Sequence, residues 1–180
     1  SSIPKGPEFF TTKASYHDEA SRLVYERGTV GINRIGVVYQ DDGYGKDVLA
    51  GVEAAAQKHG ASVVARAPYE RNTVKVEAAV VAMLKASPQV VVLAAVTAPA
   101  AEFFKQFKRQ GGTSMIYGVS PIDIQALTTR IGAETARGFA FSRVMPHRAT
   151  LPLIREYEAL KAKAGPLDGL SARSIEGFVA

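Results

Sequence analysis

Cysteine is absent from the 180 residues, which excludes a disulfide framework and any cysteine-based zinc site and leaves the redox compartment unmarked. No run of about 18 apolar residues occurs, so no segment reads as a membrane-spanning helix. The N-terminal Ser1-Ser2-Ile3-Pro4-Lys5-Gly6-Pro7 lacks the apolar core of a signal peptide. Either the protein is cytosolic or its leader is not part of this chain. Histidine is scarce: His17, His59 and His147 lie far apart, no two are spaced four residues apart, and no metal site is assigned.

Catalytic signatures are equally thin. Gly43-Tyr44-Gly45 starts like a dinucleotide fingerprint, but Val48 stands at the third glycine position. Ala67-Pro68-Tyr69 separates the second predicted strand from Glu70, so no acidic residue is placed for a ribose. The glycines read as a turn. Gly118-Val119-Ser120-Pro121-Ile122 carries the serine of a nucleophile elbow without its closing glycine, and Pro121 more simply starts a helix. There is no Walker-type phosphate loop. Asp41 and Asp42 match the acidic pair of a phosphoacceptor receiver domain. The third strand, however, ends in Ala94-Ala95-Val96-Thr97 without an acceptor carboxylate, and the fifth runs into Phe141-Ser142-Arg143 without a lysine. The aspartates are therefore predicted to cap the following helix. This inventory argues against an enzyme and implies no cofactor.

The composition that remains, 47% hydrophobic and 22% charged, suits one domain with a well-buried core. Lys and Arg exceed Asp and Glu by 22 to 17. The densest basic cluster, Lys105, Lys108 and Arg109 beside Phe103, Phe104 and Phe107, has the spacing of a solvated helix face, so no nucleic-acid partner is expected.

The organising stretch is Arg34 to Gly45. Ile35, Val37, Val38 and Tyr39 form an apolar run of strand length, and Gln40 to Gly45 supply turn formers before an alanine-rich helical pattern. A short extended piece, Glu8–Thr12, and a helix capped by Ser15 and stopped by Gly28 precede it. Helices are expected over 46–59, 74–86, 100–110, 121–131 and 153–164, and strands over 62–67, 90–94, 114–118 and 138–144. Val90-Val91-Val92-Leu93-Ala94 is an unbroken run, as in a strand covered on both faces. Strands alternating with helices predict right-handed βαβ units: an α/β fold with an open, doubly wound parallel sheet in three α/β/α layers. Ser174 reads as the cap of one more helix, whose apolar Ile175, Phe178 and Val179 stop after about two turns; short isolated helices are marginal, which implies a piece of a longer protein. In such sheets ligands bind outside the carboxyl ends of the strands. Tyr44, Thr97 and Ser120 all follow such ends and are candidate ligand contacts. Tyr44 offers an apolar face with a hydroxyl, suited to an amphipathic small molecule.

Phe9-Phe10-Thr11-Thr12, Ala14-Ser15-Tyr16-His17-Asp18-Glu19, Arg34 to Tyr39 with Asp42-Gly43-Tyr44-Gly45, Gly118-Val119-Ser120 and Ser174-Ile175-Glu176-Gly177-Phe178 resemble, in this order and spacing, the branched-chain amino acid (Leu/Ile/Val) periplasmic binding proteins of ABC importers. The resemblance covers nearly the whole chain. It implies a flavodoxin-like lobe of a type I periplasmic binding protein, with 8–144 as the second ligand-binding lobe and 145–180 as the crossover and the beginning of the return to a first lobe that is mostly absent. The implied partners are a small-molecule ligand, an amino acid or related carboxylate, the missing first lobe and a membrane permease. The implied location is periplasmic. A ligand-sensing receptor domain of the same fold is the alternative.

The resemblance places Tyr44 at the tyrosine that contacts the ligand and Val96-Thr97 at a second contact, with Ser15 and Tyr16 at the first crossover as further candidates. Leucine-binding members carry tyrosine in the second place and a carboxylate for the ligand ammonium after the fourth strand, where this chain has Val119-Ser120. An amino-acid ligand would then need another acceptor: the hydroxyl of Ser120 or Thr97, or a carboxylate in the missing lobe.

Overall fold

The computed structural model describes residues 13–28, 30–144, 150–164, 175, 177 and 178. The expected extended piece at Glu8–Thr12 and the expected cap at Ser174 lie outside them, as do 145–149 of the expected crossover. In chain order the elements are α1 (Tyr16–Gly28), β1 (Arg34–Gln40), α2 (Gly43–Lys58), β2 (Ser62–Tyr69), α3 (Glu77–Ala86), β3 (Val90–Ala94), α4 (Thr97–Arg109), β4 (Met115–Gly118), α5 (Ile124–Ile131), α6 (Ala133–Ala136), β5 (Phe139–Phe141) and α7 (Pro152–Ala164).

Every strand pairing is parallel, and the order across the sheet is β2-β1-β3-β4-β5. That is the flavodoxin-like doubly wound arrangement, whose order reverses between β1 and β3. Alternation along the two central strands feeds two cores. Ile35, Val37, Val90 and Val92 pack with Ala20, Leu23 and Val24 of α1 and Val48, Val52 and Ala55 of α2. Val38, Val91 and Leu93 face the other way, into Ala79, Val80 and Met83 of α3, Phe103, Phe104 and Phe107 of α4, and Leu127 of α5. All five residues of β3 are buried, as an unbroken apolar run requires. The three phenylalanines of α4 are fully buried, each worth roughly 1.5–3 kcal/mol, while Lys105, Lys108 and Arg109 on the same helix stay exposed.

The face covered by α2 would be left half open by the βα units alone. Helix α1, which precedes the first strand, fills that space by lying along α2. Gly51 allows the close approach: a β-carbon there would sit 3.0 Å from the Cα of His17 and 3.1 Å from the Cβ of Ala20. This packing carries the N-terminal turn of α1 towards the carboxyl ends of β4 and β5.

Several boundaries differ from the sequence expectation. Helices α2 and α4 begin at Gly43 and Thr97 rather than at 46 and 100, because the first-turn N–H groups of a helix have no intrahelical partner and tolerate Gly43, Gly45 and Pro99. Helix α5 starts at Ile124 instead of Pro121, since Asp123 caps it by accepting from the N–H groups of Gln125 and Ala126, both at 3.0 Å. Strand β2 continues through Pro68 to Tyr69; it is an edge strand, where a residue without an N–H is accommodated. Strand β5 is shorter than expected, and the single-turn α6 has no counterpart in the expectation.

Candidate functional site

At the end of β1 the chain turns sharply into α2. Asp42 is the N-cap, its carboxylate accepting from the Gly45 N–H at 3.0 Å and from the Gln40 side-chain amide at 2.6 Å. The hydroxyl of Tyr69, at the end of β2, donates to the side-chain Oε1 of Gln40 at 3.2 Å, and Arg71 approaches Asp42 at 3.6 Å. Asp41 instead pairs with Lys46 at 2.9 Å on the surface. Of the two aspartates expected to cap the helix, Asp42 does so and Asp41 does not: its carboxylate is held on the surface by Lys46 instead of the first-turn N–H groups.

Tyr44 lies in the first turn of α2 and packs edge-on against Tyr16 of α1, ring centroids 4.8 Å apart. Its hydroxyl points across the sheet to the Ala95 carbonyl beyond β3, at 3.4 Å. Burial pushes the phenol well above its ordinary pKa, and the neighbouring Tyr16, Tyr69, Glu19 and Asp42 add to it, so Tyr44 stays a neutral donor. Beyond β3, Val96 is the exposed N-cap of α4, and the Thr97 hydroxyl accepts from the Asp123 N–H at 3.0 Å, tying the start of α4 to the start of α5.

After β4 stands Ser120. Its N–H and its hydroxyl both donate to the carboxylate of Glu19, at 3.0 and 2.7 Å, and the Ser142 hydroxyl, just beyond β5, donates to the same carboxylate. Glu19 is only 5% exposed. The structure therefore brings Tyr16, Tyr44 and Ser120 to one rim, with Val96 and Thr97 beside them at the end of β3. Ser15 is engaged differently. Its hydroxyl and N–H donate to Asp18 at 2.7 and 3.0 Å and the Asp18 N–H returns to that hydroxyl at 3.2 Å, a reciprocal cap at the start of α1.

The sequence reading did not single out Glu19 and Ser142, which the structure joins to Ser120 at this rim. Glu19 lies in the first turn of α1, where an acid is already accounted for by the helix dipole. A signal existed nonetheless: positions 16, 19, 20, 23 and 24 share one face of a 3.6-residue helix, so Glu19 sits inside the apolar stripe rather than on the solvent side. Among the described residues, no group of three or more His, Asp or Glu side chains converges as a metal site, and no helix is long and apolar enough to cross a membrane.

The family model of periplasmic binding proteins matches residues 2–180. The chain belongs to the periplasmic binding protein family. A substrate-binding periplasmic protein from Ralstonia solanacearum is 38% identical, superposes with a TM-score of 0.90, and is matched over 99% of this chain and 52% of its own. A possible leucine/isoleucine/valine-binding protein from Rhodopirellula baltica is 28% identical with a TM-score of 0.86, over 93% of this chain and 47% of its own. A branched-chain amino acid ABC transporter protein from Thermus thermophilus, with bound valine, is 20% identical with a TM-score of 0.73 over 86% and 41%, a likeness of fold alone. No curated protein matches at a significant level. This periplasmic binding protein chain spans about half the length of the solved structures it matches. The family consists of binding proteins rather than enzymes, and the resemblance drawn from the ordered segments is borne out.

Proposed function

We propose that this chain is the second ligand-binding lobe of an extracytoplasmic, periplasmic solute-binding component of an ABC importer. Residues 8–144 form the lobe, and 145–180 form the crossover and the start of the return to the first lobe. The solute is an amino acid or a similar small amphipathic molecule, held between two lobes that close by hinge bending, and the closed form engages a membrane permease.

The observation that carries this reading is the convergence of Tyr16, Tyr44 and Ser120 on the carboxyl-end rim, next to the point where the strand order reverses. In this reading Tyr44 lays its ring and hydroxyl against the solute, Val96 and Thr97 line the adjacent loop, Ser120 contacts a polar end, and Ser15 sets the position of Tyr16 from the helix start. The similarity to the Rhodopirellula baltica protein, a possible leucine/isoleucine/valine-binding protein, supports the solute class.

A thermal-shift screen of the full-length protein against amino acids, aromatic acids and small carboxylates tests it. A ligand at a hundred times its dissociation constant stabilises by about 2.7 kcal/mol, a readily measured shift. The expected result is a hit that disappears in Tyr44→Ala. Turnover of a substrate that depends on Tyr44 or Ser120 would overturn the proposal.

A further inference from the structure

Helices α3, α4 and α5 lie side by side on one face of the sheet. Each runs back against the parallel strands, so their last turns gather at the amino ends of β3, β4 and β5, away from the candidate site. Those turns carry Lys85, Lys108, Arg109 and Arg130, all exposed. Arg34, at the start of β1, donates to the Ala86 carbonyl at 3.0 Å and adds its cation to the end of α3.

A cation in a helix's last turn complements the dipole, and that alone accounts for one on each helix. It does not account for the missing counterions. The connectors into β3 and β4, Ser87-Pro88-Gln89 and Gln110-Gly111-Gly112-Thr113-Ser114, contain no acid. The acids of these helices, Glu77 and Glu102, and the cap Asp123 stand towards the opposite ends, and Glu134 of α6 is held by Arg137 at 2.9 Å. Among the described residues no carboxylate pairs with Lys85, Lys108, Arg109 or Arg130; Lys108 lies over the Phe104 ring at 5.8 Å instead. Folded surfaces ordinarily intersperse both signs, so an end of one sign projects a positive field. Met115, at the start of β4, adds an apolar side chain, 39% exposed, at the same end.

We propose that this amino-end face is a docking surface for an anionic lipid membrane, with the basic side chains meeting lipid phosphates and Met115 entering the headgroup boundary. Cations spread over the ends of three helices suit an extended anionic surface rather than one small anion. An acidic protein would need carboxylates at matched positions, whereas lipid headgroups move laterally to meet the cations and accept an apolar side chain beside them. The binding-protein reading puts the solute and the first lobe at the other end of the sheet, and the inference rests on it only for the accessibility of this face. Docking here leaves the cleft open and keeps the protein beside the membrane that holds its permease.

The test is co-sedimentation of the full-length protein with phosphatidylcholine vesicles, with and without about a third phosphatidylglycerol. The protein is expected to sediment with the anionic vesicles only and to be released when salt is raised to about 0.5 M, where the Debye length shrinks to a few ångströms. Each basic residue removed should weaken the partition about fivefold, so Lys85→Gln, Lys108→Gln and Arg109→Gln together lower it about a hundredfold. Charge-keeping Lys85→Arg, Lys108→Arg and Arg109→Lys should restore it. The neutral triple variant should melt like the wild type and keep the solute-induced thermal shift, which separates this inference from the binding-protein reading. Equal sedimentation with neutral and anionic vesicles, or undiminished sedimentation of the neutral triple variant, would overturn the inference and leave that reading standing. Binding of a soluble acidic polypeptide, poly-L-glutamate, in place of the vesicles would overturn the lipid assignment in favour of an acidic protein partner.

Discussion

Gly45 packs so closely on Gln40 that a β-carbon added to it would lie 1.9 Å from the Gln40 carbonyl oxygen and 2.8 Å from the Gln40 nitrogen. The obstructing atoms are backbone, so neither side can yield by a rotamer change. The glycine is what lets α2 begin directly against the end of β1 and holds Tyr44 over the rim. In Gly45→Ala the gain in helix propensity, at most about 1 kcal/mol, is outweighed by overpacking, and the net loss is expected to be about 2 kcal/mol. The urea midpoint of the full-length protein measures it. Gly51→Ala should cost less, because its neighbours at 3.0 and 3.1 Å need to give by only a few tenths of an ångström; equal costs at the two sites would contradict the packing described.

The two helix-starting aspartates make stability depend on pH in one direction. Asp18 and Asp42 are both held below the ordinary value of 3.8. For Asp18 the Ser15 hydroxyl and N–H are responsible; for Asp42 burial opposes, but the Gly45 N–H, the Gln40 amide and Arg71 outweigh it. A folded-state pKa below the unfolded one means that the unfolded chain takes up the proton first as pH falls. The stabilisation is therefore present above 3.8 and is lost as pH drops through the folded values. Asp42→Asn keeps a capping acceptor without the titration, and its melting temperature should fall less steeply than the wild type's below that pH. Parallel acid limbs would count against the assignment.

Much of this was legible in the sequence for local reasons. Val90 to Ala94 announces a doubly covered strand, and the strand and helix pattern places Tyr44 and Ser120 beyond strand carboxyl ends, as the structure does. Helix starts were harder to place. Gly43, Gly45 and Pro99 carry turn signals that a helix's first turn tolerates equally well, so α2 and α4 read as beginning three residues late. Glu19 was hidden for a different reason. Its partners are 101 and 123 positions away, and only the packing of α1 along α2 brings them together. A charged residue within an apolar helical stripe is the one local trace such a contact leaves.

Ser15 separates a structural role from a binding one. Its reciprocal bonds with Asp18 close the first turn of α1. Ser15→Ala is expected to lower stability by about 1 kcal/mol, the usual cost of an N-cap serine. Affinity for the solute found in the screen should be unchanged once the protein is folded. A fall in affinity without a fall in melting temperature would instead place the Ser15 hydroxyl on the ligand.

Tyr16 and Tyr44 join the first turns of α1 and α2 through an edge-on ring contact, interplanar angle 65°. Such a pair contributes about 0.5–1.5 kcal/mol beyond its buried area, and a double-mutant cycle of Tyr16→Ala and Tyr44→Ala on unfolding free energy should return a coupling of that size. Tyr44→Phe keeps the ring and removes only the 3.4 Å bond to the Ala95 carbonyl, a long contact, so its stability should change by less than about 1 kcal/mol. The same two variants divide the recognition of the solute. If the ring is the contact, Tyr44→Phe binds like the wild type and Tyr44→Ala does not. If the hydroxyl is the contact, both lose affinity, and because burial keeps this phenol neutral, wild-type binding shows no step from its ionisation at ordinary alkaline pH. Tyr44→Ala that retains full affinity would remove Tyr44 from the site.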